Sequence, residues 1–145
     1  MTAWPLIERP LCDHLAANTN FTWTNDGGRN NAAVPLGIVQ VAGGSNDLDL
    51  EDSPSVEVLL RAKTRDGLWQ LAQQVDAVFA GLNPGGLPGD IYVDAARAAF
   101  RFTVDPDLGT ADYKVATATY SLTLRPQGEA NQTPRRGRAK ETTDE

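Results

Sequence analysis

Histidine, cysteine and methionine occur once each in these 145 residues. The single cysteine, Cys12, has no partner for an internal disulfide. The single histidine, His14, removes most histidine-based zinc sites and any ordinary histidine-based catalytic triad. No apolar run approaches the ~18 residues that a membrane-spanning helix needs. Met1-Thr-Ala-Trp-Pro5 has neither the positive region nor the apolar stretch of a secretory signal. The expectation is a soluble protein of a reducing cytoplasm, with no membrane partner, in which the sequons at Asn20 and Asn131 carry no meaning.

Positive charge is also short. Residues 1–125 hold nine Lys and Arg against fifteen Asp and Glu, whereas residues 126–145 hold four of each, so the net charge of −6 sits on the body. An acidic body is ill suited to holding nucleic acid, because duplex binding depends on neutralising phosphates. It suits a surface that DNA passes without sticking, and it equally suits a small domain that only needs to stay soluble.

Catalytic constellations are missing as well. Cys12-Asp13-His14 crowds nucleophile, acid and base types together, but consecutive residues point in different directions on a helix or strand and form no relay. The pairs Gly27-Gly28, Gly43-Gly44 and Gly85-Gly86 match no phosphate-loop spacing and read as turns. Asp47, Asp49, Glu51 and Asp52 form the densest carboxylate cluster. A calcium loop would need a glycine at its sixth position and a glutamate at its twelfth, where Val58 stands, so the cluster reads as a solvated or subunit-facing acidic loop. An enzyme would require Asp90, Asp94 and Asp112 to converge, which nothing in the spacing indicates. No cofactor and no metal are expected.

What the chain does have is periodicity. Leu6, Ile7, Leu11, Leu15 and Ala16 follow helical spacing around Pro10, predicting two short helical pieces or one helix beginning near Pro10. Phe21 to Thr24 predicts a short strand, and Pro35 to Ala42 a second that breaks at Gly43-Gly44. Val56, Val58, Leu60 and Ala62 alternate with polar or larger residues as a half-buried strand does. Leu68, Leu71, Ala72, Val75, Val78, Phe79 and Leu82 mark an amphipathic helix, with Thr64 or Asp66 as N-cap and Gly81 near its end. Trp69 lies beside that stripe, positioned either to complete the core or to meet a partner; its size favours the core.

Pro84 to Asp90 reads as loop, Ile91 to Val93 as a short strand. Ala98, Phe100, Phe102 and Val104 then alternate on one face of another strand, and Asp105 to Gly109 turns the chain. In the closing strand, Tyr113 to Arg125, Thr117 and Thr119 belong to a Thr/Ser face that tolerates water, as a face turned to solvent or to a lumen does. From Gln127 the periodicity ends: residues 1–126 are read as one domain and 127–145 as a disordered tail in which Arg135, Arg136, Arg138 and Lys140 are balanced by four acidic residues. The fold expected is α+β: a mainly antiparallel sheet of about five strands, with one long amphipathic helix and a short N-terminal helix packed on one face.

The run Val56-Glu-Val-Leu-Leu-Arg-Ala-Lys-Thr64 leading into Gly67-Leu-Trp-Gln-Leu-Ala-Gln-Gln-Val75, together with the closing Tyr113 to Arg125, resembles the tail terminator (tail-completion) proteins of long-tailed bacteriophages. The resemblance covers most of residues 4–126, and Pro10 and the long mixed-charge tail depart from it. It implies a structural virion protein at the head-proximal end of the tail, assembled in the host cytoplasm, whose hexameric ring caps the tail tube, ends its polymerisation and docks to the head connector. Self-association, the tail tube protein and the head-tail connector protein would be its partners, with DNA passing through the lumen unbound. Candidate interface residues are Asp47, Asp49, Glu51, Asp52, Trp69, Thr117, Thr119 and Arg125. Competing readings are another tube or connector subunit, or a monomeric ligand-binding module.

Overall fold

A computed structural model describes residues 6–26, 34–47 and 51–124. Eight elements follow in chain order: α1 (Glu8–Asn18), β1 (Thr22–Thr24), β2 (Leu36–Asp47), β3 (Glu51–Ala62), α2 (Arg65–Ala80), β4 (Gly85–Leu87), β5 (Ile91–Val104) and β6 (Lys114–Leu124). All six strands join one sheet in the order β1-β2-β3-β6-β5-β4.

This corrects the expected fold. Where a mainly antiparallel sheet of about five strands was expected, with its helices packed on one face, the sheet has six strands, is mixed, and curls into a half-barrel with the two helices. The mixed character comes from β1, which runs parallel to β2 with Thr22 opposite Leu36 and Thr24 opposite Ile38. Two further corrections concern the strands themselves. Gly85–Leu87, read as loop, pairs antiparallel with Ile91–Val93 as β4, and the two strands expected between Ile91 and Val104 are one continuous β5. The Gly43-Gly44 pair does not end β2 either. Gly43 takes a φ of 118° at a register shift between Val41 and Gly44, and the strand continues to Asp47. Such bulges, with three more register shifts along β5, add local twist and let a sheet curl.

The helices start where local chemistry allows. Thr64 caps α2, its hydroxyl oxygen accepting from the Gly67 N–H at 3.0 Å. Pro10 is the third residue of α1, where the N–H it lacks would have had no helical acceptor, so a single helix begins at Glu8. Glu8 then does a second job. One carboxylate oxygen accepts the Val41 N–H at 2.9 Å and the other accepts from Asn25 Nδ2 at 3.1 Å, tying α1 to the outer edge of β2.

The core lies between the helices and one face of the sheet. Val39 of β2, Val56, Val58 and Leu60 of β3, and Ala118, Leu122 and Leu124 of β6 meet Leu11 and Leu15 of α1 and Leu68, Val75 and Phe79 of α2. At its centre Phe79 stacks on Tyr120, ring centroids 3.8 Å apart and planes 8° from parallel, while Phe102 meets Tyr120 edge-on at 6.2 Å.

The Tyr120 hydroxyl donates to the Asp76 carboxylate at the rim of this cluster. Burial, reinforced by that hydrogen bond and by the Asp76 charge, pushes the phenol well above its ordinary value of about 10. A group whose pKa is raised on folding contributes stability below its unfolded pKa and loses it as the pH rises. The chain should therefore lose about 1.4 kcal/mol per pH unit above pH ~10 through Tyr120 alone. Tyr120→Phe should cost about 1–2 kcal/mol at pH 8 for the lost charge-assisted bond, and that gap should close by about pH 11. Urea unfolding of both proteins from pH 8 to 11 checks this; a gap that stays constant refutes it.

Candidate subunit interface

The face of the sheet opposite the core carries the Thr/Ser side of β6. Thr117 and Thr119 are half-buried there and line a groove of about 390 Å³ with Ile38, Glu57, Leu59 and Leu108. The turn after β5 closes one end: the Asp105 N–H bonds to the Val115 carbonyl at 2.8 Å, and the Arg61 guanidinium lies 4.9 Å from the centre of the Tyr113 ring.

Both sheet edges are partly open. Among the described residues, β1 covers β2 only from Leu36 to Ile38, and β4 covers β5 only from Ile91 to Val93. Glu8 takes up one further β2 amide at Val41. Among the described residues, no strand lies on the outer sides of 42–47 of β2 and 94–104 of β5. Open edges of this length are templates for pairing with another chain.

The β5 edge is chemically distinctive. Arg97, Ala98, Ala99, Phe100, Arg101 and Thr103 are all exposed, Phe100 by 73%. Arg97 and Arg101 form no ion pair among the described residues. Beside this edge Trp69 of α2 is 37% exposed, its ring 5.9 Å from the Arg65 guanidinium, and it borders a shallow cleft with Gln73, Asp76, Arg101 and Phe102. Trp69 thus stands at the rim of the core and open to a partner.

The acidic candidates fall on the β2–β3 hairpin. Asp47 is opposite Glu51 and Asn46 opposite Asp52 in the register. Asp49 and Arg125 lie outside the described residues, as does the 127–145 tail. The candidates therefore do not form one site: the acids are at the β2 end of the sheet, Trp69 is beside β5, and the two threonines are on the uncovered face between them. Arg97, Phe100, Arg101 and Glu8 are additions that sequence reasoning missed. The period-two pattern puts Phe100 on one face with Ala98 and Phe102, but register shifts on either side of it turn it to the face of Thr119.

Elsewhere, Cys12 is buried, and that burial pushes its thiol up and away from thiolate reactivity. Burial likewise lowers His14. Among the described residues no helix is long and apolar enough to cross a membrane. No family model matches the chain, and no curated protein matches it.

Proposed function

We propose that this chain is a structural ring subunit, the tail terminator of a long-tailed phage. Its ring, six-membered as the resemblance implies, would cap the head-proximal end of the tail tube, stop tube growth and dock to the head connector. The observation that carries the reading is the pair of open edges at opposite ends of one sheet. Two different edges of one subunit join head to tail, and head-to-tail contacts close into rings when the rotation allows. Capping is then steric: one ring face copies the tube's own interface and the other does not. The excess negative charge of the body and the Thr/Ser face of β6 fit a lumen through which DNA slides without sticking.

The test is solution mass by light scattering, for the protein alone and with its tail tube subunit. A discrete ring, or a monomer that assembles only on tube ends, with tubes that stop lengthening, is the expected outcome. Open-ended filaments would make the chain a tube protein, and a monomer that ignores tubes would overturn the reading in favour of a ligand-binding module.

A further inference from the structure

We infer that the cleft between α2 and β5 is a docking site for an acidic segment of another protein, one that sets an apolar side chain among carboxylates. This goes beyond the ring reading and does not rest on it.

Helix α2 supplies Trp69, Ala72, Gln73 and Asp76 to the cleft, and β5 supplies Arg101 and Phe102, around a space of about 560 Å³. The four helix residues recur at three- and four-residue spacing, so they share one face of α2. Ala72 and Phe102 are buried and form an apolar floor, which stays open because residue 72 is no larger than alanine. Trp69 is the exposed wall. An apolar side chain laid against Trp69, Ala72 and Phe102 would leave water and complete the core at this rim.

Charge decides what flanks that side chain. Arg101 is exposed and forms no ion pair among the described residues. Arg65, one turn before Trp69, holds its guanidinium 5.9 Å from the indole ring. The acid that lines the cleft, Asp76, already accepts the Tyr120 hydroxyl. Asp66 follows Arg65 in sequence but lies about 100° further round the helix. The cleft is therefore a cationic and aromatic patch on a body with fifteen acids and nine cations in residues 1–125. A basic partner would meet Arg65 and Arg101 as like charges, and nucleic acid would meet the acidic surroundings. An acidic polypeptide meets neither obstacle at the cleft, and its carboxylates match the guanidinium fork. Tryptophan and arginine are also the residues that most often carry the binding energy of an interface.

Arg97 supplies a control within the same strand. It pairs in register with Ser121, on the Thr/Ser side of the sheet, whereas Arg101 lines the cleft on the helix side. Both are exposed. Reversing either changes the net charge equally, so only docking in the cleft tells them apart.

The probe is a fluorescein-labelled pentapeptide of four glutamates around a central leucine, titrated with the full chain at low salt. Its counterparts carry lysines for the glutamates or serine for the leucine. The glutamate–leucine peptide should bind best, weaken as salt is added, and perturb backbone amide resonances in 65–76 and 99–102. Arg101→Glu should weaken binding at least about tenfold and Arg97→Glu less than about twofold, with unchanged thermal unfolding showing that both variants fold. Equal binding of the lysine or serine peptide, equal effects of the two substitutions, perturbation confined to other segments, or no binding at about 1 mM would each overturn the site. Self-association that Arg101→Glu abolishes in the absence of peptide would overturn it too, by making a second copy the occupant. Rings that cap tubes but ignore the peptide would sink this site and leave the terminator reading.

Discussion

Phe79→Ala is expected to lower the unfolding free energy by about 3–5 kcal/mol. Phe79 is 2% exposed, at the last turn of α2, and its ring lies flat on Tyr120, which in turn meets Phe102. Truncation removes the transfer free energy of the ring and leaves a hole between helix and sheet. Collapse into that hole is hindered because β3, β6 and β5 are paired side by side to form the opposite wall. The same truncation at Phe100, which is 73% exposed, should stay within about 0.5 kcal/mol in dilute monomer. Urea unfolding of the two variants decides between them. Comparable losses at both sites would mean that Phe100 of β5 is not turned away from the core that Phe79 fills.

The contrast between these two phenylalanines marks what the sequence made legible. Where an element keeps a constant period, its faces could be read. The stripe from Leu68 to Phe79 is buried, Thr64 is the cap of α2, and the even-numbered positions of β3 and β6 face the core while Thr117 and Thr119 do not. Period-two reasoning fails at a bulge, because one extra residue exchanges the faces of everything beyond it. β5 has three register shifts, and Phe100 sits between two of them. The parallel pairing of β1 was also hidden. Three residues carry no directional pattern, and which way they pair depends on how 25–35 bring the chain back.

The interface candidates divide along the same line. The acidic run was visible as charge, but its place on the β2–β3 hairpin depends on β2 continuing through Gly43, and that needs a glycine at φ 118°. Glu8 gave no signal at all. Its role comes from α1 passing the β2 edge at Val41, a contact between residues 33 apart.

Gly85→Ala should destabilise the chain by about 3 kcal/mol, the upper end of what overpacking costs, whereas Gly86→Ala next to it should stay within about 0.5 kcal/mol. A Cβ on Gly85 would lie 2.2 Å from the Gly81 carbonyl oxygen and 3.0 Å from Leu82 Cα, backbone atoms with no rotamer in which to escape. One on Gly86 would meet only the Ile91 oxygen, at an ordinary 3.8 Å. Relief at Gly85 requires β4 to move off the end of α2, and β4 carries Leu87, 5% exposed, into the same core as Leu82. Denaturant unfolding of the two variants is a matched comparison, since both lose a glycine from the same three-residue strand. Equal effects would mean that β4 is not packed against the helix end as described.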